Sequence, residues 1–463
     1  MFSYEAEHIH ICYQCVGEEY LKEQIRLEGK RGKCKYCRGN RKSIPLPWLA
    51  EKIHEVLDKY FINTSSEYCG HYGTPPGEPV IDVVQSIADV DSVVADDVLN
   101  YLSYNFGPSP KDFEIDPYGD DAWYSEAPPD SWNQQQSWGV FCGEVTQKAR
   151  FFSPVAEKIL DELFSNIISF KRYDGKSVVR EVGPGTENDE IYRARVAQTQ
   201  EELDQILSRP NKELAAPPAK YAKNGRMNAS GISVFYGAAS AETCVAEVRP
   251  PVGSQVVVGR FQILRKLYLL DFDVLSQVYA KVSVFDPAYG PQIGHAAFLR
   301  KLVAELTRPV LPSEEGFKYL PTQIVAEYLA EKVKPKLDGI VFRSTQDNEK
   351  GENIVLFQGR SNVEPHVLPN GTKIFVDHGW IGRGDHDDSI TVRETVPTET
   401  TDRSGPGSLE QFELPLDAES YPDDFGEIVL RLDINKDVKV WVISGVKFDF
   451  RERYTSRHRV KQS

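Results

Sequence analysis

The apolar residues of the chain change their spacing near residue 173, which predicts different structure on either side. Over residues 48–61 the apolar positions recur every three or four residues, as in a helix with one buried face. Similar patterns predict one or two helices within 80–106, and further helices over 131–150 and 154–169. The block that these helices form is therefore expected to be all-α.

Short β-like runs replace this pattern in the second half of the chain. Strands are expected over 234–236, 255–261, 267–270 and 340–342, and helices over 199–207, 241–248, 296–307 and 322–332. Because the two kinds of run alternate, they predict a mixed α+β domain that ends near residue 360.

The C-terminal hundred or so residues differ again in composition. Residues 383–424 are rich in Gly, Ser, Thr, Pro and Asp, which is typical of a long mobile loop. Strand-like runs follow at 428–432, 438–443 and 446–450, with turn residues between them. We therefore expect a short C-terminal β extension over residues 363–463.

Composition limits the classes of protein that this chain can be. Its 463 residues suggest two to four domains, and 40% hydrophobic residues suffice for buried cores. The formal net charge of −15 argues against a free-standing nucleic-acid binder, although not against a local basic patch. No run of apolar residues is long enough for a membrane helix, and the N-terminus does not resemble a secretory signal. A reducing cytoplasm is the expected location.

Four of the seven cysteines form two CxxC pairs near the N-terminus. The pairs are Cys12 with Cys15 and Cys34 with Cys37. Each pair can direct two thiolates at one ion, so this spacing predicts a closed four-cysteine zinc site, structural rather than catalytic. A thiol redox pair is the alternative. His8 and His10 lie close by but are expected at the surface, since four cysteines already complete the ligand set.

The segment between the cysteine pairs is strongly basic. Nine lysines and arginines lie between Lys22 and Lys42, opposed only by Glu23 and Glu28, so the segment carries a net charge of +7. It can contact nucleic acid or an acidic partner, or it can be a solvated face that keeps the ribbon soluble. The sequence leaves both readings open.

A third region, residues 223–250, contains residue types that a core does not require. Arg226, Tyr236 and Glu247 lie there among glycines and small side chains. A guanidinium binds phosphate oxygens in a planar fork, and an aromatic face accepts a planar ring. A carboxylate stabilises positive charge that develops in a transition state. The set suits a substrate that carries phosphates and a ring.

The motifs around this region resemble the RES-domain family over about residues 178–360. They are Ile-Tyr-Arg-Ala-Arg at 191–195, Gly-Arg-Met-Asn at 225–228, Phe-Tyr-Gly-Ala at 235–238, Ala-Glu-Thr at 241–243, Ala-Glu-Val at 246–248, Asp-Gly-Ile-Val-Phe-Arg-Ser at 338–344 and Gly-Glu-Asn-Ile-Val-Leu-Phe at 351–357. The resemblance implies a fold similar to ADP-ribosyltransferase toxins and an activity on NAD. Such domains degrade NAD by hydrolysis or phosphorolysis, or transfer ADP-ribose to a protein, and many are toxins paired with an antitoxin.

The resemblance also implies roles for individual residues. Arg193 and Arg226 would bind the pyrophosphate of NAD, and Tyr236 would stack on the nicotinamide or flank its ribose. Glu247 would stabilise the cationic ribose, with Glu242 as a competing carboxylate. Ser344 would bind the substrate or hold Glu247 in place. Tyr192 is either a second aromatic wall or a core residue, and Cys244 is expected in the core.

The N-terminal region resembles, more weakly, the cysteine-paired and HEPN-like helical regions fused to some RES proteins. The predicted fold is thus multidomain α+β, with a zinc ribbon at 1–44, a helical domain at 45–175, a RES domain at 176–362 and the extension at 363–463. Arg453 and His458 have the spacing of a HEPN ribonuclease pair but lie in a polar tail, so ribonuclease activity is not expected. A non-catalytic protein that senses NAD, or that binds nucleic acid or an antitoxin, is the competing hypothesis.

Overall fold

A computed structural model describes most of the chain. The described residues are 8–65, 74–108, 116–164, 166–308, 310–347, 350–379, 381–382, 385–386, 389–397, 427–447 and 452–454. Cys69, His458 and most of the predicted loop 383–424 lie outside them. Among the described residues, no helix is both long and apolar enough to cross a membrane.

The described residues form twenty-one strands, most of them short. They are β1 (His10–Cys12), β2 (Lys30–Lys33), β3 (Asn40–Pro45), β4 (Phe61–Asn63), β5 (Glu78–Pro79), β6 (Trp123–Glu126), β7 (Lys171–Arg172), β8 (Val179–Val182), β9 (Glu190–Ala197), β10 (Phe235–Ala238), β11 (Gln255–Ile263), β12 (Leu267–Asp271), β13 (Val278–Tyr279), β14 (Gly339–Arg343), β15 (Glu352–Leu356), β16 (Lys373–His378), β17 (Ile381–Gly382), β18 (Asp385–His386), β19 (Ile390–Thr395), β20 (Leu430–Arg431) and β21 (Val438–Val442).

Thirteen α-helices lie between these strands in the described part of the chain. They are α1 (Glu19–Glu28), α2 (Leu46–Tyr60), α3 (Val80–Ala88), α4 (Ser92–Phe106), α5 (Trp132–Gln147), α6 (Pro154–Phe164), α7 (Gln200–Ser208), α8 (Pro210–Glu213), α9 (Ala241–Glu247), α10 (Phe272–Leu275), α11 (Tyr289–Thr307), α12 (Glu315–Lys318) and α13 (Leu320–Glu331).

The chain divides into two compact units. The first comprises Met1–Val140, Phe170–Lys176 and Ser276–Leu302, and the second comprises Phe141–Ser169, Ser177–Leu275 and Val303–Ser463.

The first unit contains a small ribbon followed by packed helices. Strands β1, β3 and β2 form a three-stranded antiparallel sheet that carries the cysteine pairs. Helix α2 buries Leu49, Ile53 and Leu57 on one face, as the periodicity predicts, and that face joins a core with α3 and α4. Asp89 ends α3 in a left-handed conformation with φ of 47°.

The expectation that the block after the ribbon is all-α is wrong. Strands β4, β6 and β5 form a second three-stranded sheet in the first unit. Its strands have two to four residues, too few to show a period-two pattern in the sequence. They pair segments that lie far apart in the chain, so no local signal marks them.

The second unit is built on a nine-stranded mixed sheet. Its order is β20-β11-β9-β10-β15-β14-β12-β8, and β21 also pairs with β11. The pair β12–β14 is parallel, whereas the other pairs are antiparallel. Alternate residues of β11 enter different cores: Val257 faces one cluster, and Val256 and Val258 face the cluster that packs beneath α9.

The C-terminal strands β20 and β21 are part of this sheet. Residues Gln255–Gly259 of β11 pair with Val442–Val438 of β21, and the end of β11 pairs with β20. The predicted loop contains structure at its start, because Ile390–Thr395 pairs with Lys373–His378. Within the described residues 446–447 the third predicted run forms no strand, and 448–450 lie outside the described residues.

Candidate active site and candidate metal centre

Glu247 lies at the C-terminal end of α9, and the sheet supplies two hydrogen bonds to its carboxylate. Ser344 Oγ donates to Glu247 Oε1 at 2.5 Å, and Asn353 Nδ2 donates to the same oxygen at 2.7 Å. Ser344 follows β14 directly and Asn353 lies in β15, where it pairs with Phe342. The register of these two strands therefore sets the position of the carboxylate.

The two oxygens of Glu247 have different surroundings. Oε1 accepts both hydrogen bonds, from the fully buried Ser344 and from Asn353, which is 7% exposed. No described residue donates a hydrogen bond to Oε2. The protein thus holds Oε1 in place and leaves Oε2 free to contact a ligand. This arrangement suits a carboxylate that stabilises positive charge on a substrate.

Asn353 is a site residue that the sequence analysis missed. It occupies the second position of β15, followed by the buried residues Ile354, Val355 and Leu356. A polar side chain at a buried strand position needs a hydrogen-bond partner. An asparagine in an otherwise apolar strand was therefore the feature of the sequence that could have indicated a site residue here. Its partner is Glu247, 106 residues away, and no local pattern could identify it.

A cavity of about 280 Å³ opens beside Glu247. Its lining includes Arg226, Tyr236, Glu247, Arg249, Tyr319, Arg343 and Asn353. Arg343 is paired with Asp273 at 3.0 Å, whereas Arg249 is exposed and donates to the neutral Gln346. Arg226 and Arg249 are thus left as two cations against the one carboxylate of the cavity, an excess of positive charge that favours an anionic ligand.

The guanidinium of Arg226 is anchored on one side. Its Nη1 donates to the carbonyl of Thr307, the last residue of α11, and its Cζ lies 5.8 Å from the ring centroid of Tyr319. The carbonyl end of a helix attracts positive charge. These contacts fix the side chain and leave its remaining donors for a ligand in the cavity.

Tyr236 has a fixed ring and a neutral hydroxyl. The hydroxyl donates to Asn228 Oδ1 at 2.8 Å and accepts from the backbone N–H of Met227 at 3.0 Å. Burial raises the pKa of Tyr236 to about 12. A side chain on Gly225 would place its Cβ 2.7 Å from the Tyr236 hydroxyl oxygen, so this glycine makes room for the tyrosine.

Arg193 lies near Tyr236 but does not line the Glu247 cavity. It borders a neighbouring cavity of about 290 Å³ that Tyr236 also lines, and its guanidinium lies 4.9 Å from the centroid of Phe235. Its Nη1 is buried and has no hydrogen-bond partner among the described residues. Burial lowers the pKa of Arg193 to about 10, so it stays charged at neutral pH.

The structure does not bring Tyr192 to Glu247. Tyr192 lines a separate cavity of about 420 Å³ and donates to Glu190 at 3.1 Å. Glu242, the competing carboxylate of α9, is exposed and lines that same separate cavity. Neighbouring residues of β9 point to opposite faces of the sheet, so Tyr192 and Arg193 cannot both face one cavity.

Cys244 is a buried residue of the small core beneath α9, with 4% exposure. Burial raises the pKa of its thiol to about 12, which keeps the thiol protonated at neutral pH. Although it borders the Glu247 cavity, it is not a thiolate nucleophile there.

The four N-terminal cysteines converge on one point. Their sulphur atoms all lie within 4.8 Å of one another. Sulphur–sulphur distances are 3.8 Å for Cys12–Cys15, 3.5 Å for Cys12–Cys37 and 3.7 Å for Cys15–Cys34. A tetrahedron with zinc–sulphur bonds of about 2.3 Å has edges of about 3.8 Å. The residues therefore fit a metal ion with four thiolate ligands.

The basic segment between the cysteine pairs is partly neutralised. Lys22 pairs with Glu19, Arg26 pairs with Glu23, and Lys35 pairs with Asp97 at 2.6 Å. Acids from α1 and α4 thus offset three of its nine cations, and nothing in the structure favours nucleic acid over a solvated face.

Comparison with known proteins agrees with the motifs of the second unit. Neither a curated protein nor a solved structure matches the chain. The likeness to ADP-ribosyltransferases and the HEPN-like reading therefore stay predictions. Residues 192–374 match the family model of the RES domain, and this match supports assigning the part of the chain that carries Glu247 and Ser344 to the RES family.

Proposed function

We propose that the protein consumes NAD by cleaving the bond between nicotinamide and ribose, with water or phosphate as the acceptor. The observation that carries the proposal is the carboxylate of Glu247, held through Oε1 and open at Oε2, in a cavity lined by Arg226 and Tyr236. The match to the RES domain supports NAD as the substrate.

Glu247 is the catalytic residue of this mechanism. As the glycosidic bond breaks, nicotinamide leaves with the bonding electron pair and the ribose gains positive charge. The carboxylate Oε2 stabilises that charge, as in glycoside hydrolysis. Water or phosphate then bonds to the ribose carbon, and a proton is released when water is the acceptor. Ser344 and Asn353 are positioning residues, because they act through Glu247.

The cationic and aromatic side chains bind the rest of the substrate. Arg226 and Arg193 bind the pyrophosphate, because each guanidinium can neutralise one of its two negative charges and donate hydrogen bonds to its oxygens. The neutral ring of Tyr236 stacks on nicotinamide or flanks its ribose. Because its hydroxyl is already bonded to Asn228, Tyr236 serves as a fixed wall rather than as a proton donor.

The test is incubation of the purified protein with NAD, with and without phosphate, followed by mass spectrometry. Hydrolysis yields nicotinamide and ADP-ribose, and phosphorolysis yields nicotinamide and phosphorylated ADP-ribose. Labelled NAD with candidate proteins detects the alternative, protein ADP-ribosylation, since the label then stays on protein. Absence of nicotinamide under all three conditions overturns the proposal.

For the cysteine cluster we propose a structural zinc ion. Four thiolates leave no open coordination position, so the ion stabilises the ribbon and takes no part in the reaction. The family resemblance also suggests that the protein is a toxin that an antitoxin restrains. Co-purification with the product of a neighbouring gene would test this suggestion.

A further inference from the structure

The second unit contains a cavity larger than the one beside Glu247. Its volume is about 1010 Å³, at the upper end of the range for small-ligand sites. Six basic residues line it: Arg193, Arg195, Arg209, Lys212, Lys220 and Lys223. We call this cavity the basic cleft.

The positive charge of the basic cleft is largely uncompensated. Its lining has one acid, Glu213, and that carboxylate pairs with Arg195. Arg209, Lys212 and Lys223 form no ion pair with a described residue. A chain with a net charge of −15 thus holds several unpaired cations close together in one cavity. These cations repel one another, and an anionic ligand would relieve that repulsion.

One NAD molecule does not account for this charge. Its pyrophosphate has two negative charges, which Arg193 and Arg226 already match in the proposed mechanism. Three other cations of the cleft, Arg209, Lys212 and Lys223, would stay unmatched. A ligand that neutralises them must carry several phosphates along its length.

One further feature indicates what the ligand contains. Tyr221 is 62% exposed and lies beside Pro218 in the lining, with the Nζ of Lys220 4.8 Å from its ring centroid. An exposed aromatic ring flanked by cations is a platform on which a nucleobase stacks.

We propose that the basic cleft binds single-stranded nucleic acid, with its phosphates on the lysines and arginines and one base on Tyr221. A single strand fits better than a duplex because its bases can leave the stack and reach an aromatic ring in a concave site. An acidic peptide would match the charge but would not need the exposed ring. The inference goes beyond the proposed function and stands whether or not NAD is consumed.

The experiment measures fluorescence anisotropy of a labelled 12-nucleotide single strand over a range of salt concentrations. Full-length protein should bind it, and the affinity should fall as salt rises. The double variant Lys212→Glu with Lys223→Glu should weaken binding at least tenfold. The plot of log affinity against log salt concentration should also become less steep, by about 0.7 for each phosphate that the variant no longer neutralises. Tyr221→Ala should weaken binding about tenfold at constant slope.

The matched control reverses two exposed lysines of the same unit away from the cleft, Lys336→Glu with Lys447→Glu, and should bind the strand within twofold of the unaltered protein. No binding at low salt overturns the inference, as does equal weakening by the control variant. Competition by polyglutamate as strong as by the strand also overturns it, because the cleft would then lack selectivity for nucleotides. Nicotinamide release from NAD, measured in parallel, reports on the proposed function separately.

Discussion

The cysteine cluster and the Glu247 site are both sets of converging side chains, but they are assembled in different ways. The cysteines come from two tight turns, and the sulphurs of Cys12 and Cys37 meet across only 25 positions of sequence. Glu247 meets Ser344 across 97 positions and Asn353 across 106. The first site needs turn geometry, whereas the second needs the whole sheet in register.

This difference indicates which sequence changes would disrupt each site. A CxxC turn presents both thiols whatever the rest of the chain does, so the metal centre depends mainly on its own ligands. A shift of one residue between β14 and β15 would turn Asn353 to the other face and remove a donor from Glu247. The proposed active site is therefore sensitive to changes that leave its residues intact.

The largest effect is expected at the metal centre. Cys34→Ser replaces a buried cysteine of the proposed zinc site, and zinc binding to four-thiolate sites contributes on the order of 10 kcal/mol to folding. We expect loss of the metal and unfolding of the ribbon, measured by elemental analysis and by thermal unfolding. Cys142→Ser, outside the cluster, should retain the metal. Unchanged zinc content in the Cys34 variant would contradict the four-thiolate site.

Glu247→Gln keeps the shape of the side chain and removes its charge. We expect nicotinamide release from NAD to fall by about a thousandfold, since a preorganised charge of this kind is worth about 4 kcal/mol in a transition state. Glu242→Gln on the same helix should stay within twofold of the unaltered protein. If the Glu242 variant instead loses the activity, the assignment of the two carboxylates is reversed.

Asn353→Ala removes one of the two donors to Glu247 Oε1. We expect kcat to fall about 10- to 100-fold with little change in KM, because the residue acts through the carboxylate and not on the substrate. Combined with Ser344→Ala the losses should not add, since both donors hold one oxygen. A fall in melting temperature with kcat unchanged would show that Asn353 only supports the sheet, and additive losses in kcat would show that the two donors act independently.

The smallest effect is expected for Cys244→Ala, which should change turnover by less than about threefold because its thiol is protonated at neutral pH. Burial raises the pKa of this thiol from 9.0 to about 12. The folded state therefore retains a proton that the unfolded state releases above pH 9. The stability from this group is complete below pH 9 and is lost as the pH rises toward 12. Chemical unfolding at pH 8 and pH 10 should show a smaller loss of stability in the variant than in the unaltered protein, because the Cys142 thiol, whose pKa burial also raises, contributes in both.

Much of the local structure could be read from the sequence. The helix predicted over 48–61 is Leu46–Tyr60, the one over 241–248 is Ala241–Glu247, and the strand over 255–261 is Gln255–Ile263. These segments are long enough for their periodicity to show. Strands β4, β5 and β6 were missed because two to four residues carry no period, and their pairing is non-local.

Short motifs were enough to predict that Cys12, Cys15, Cys34 and Cys37 converge, and to predict the residue types of the proposed NAD site. Which side chains meet depends on the tertiary structure. It placed Glu247 in the cavity and Glu242 outside it, and it set Tyr192 and Arg193 on opposite faces of β9. It also added Asn353 to the site. The physical reason is that strand register and the alternation of side chains across a sheet are fixed by pairing between distant segments, which no local pattern records.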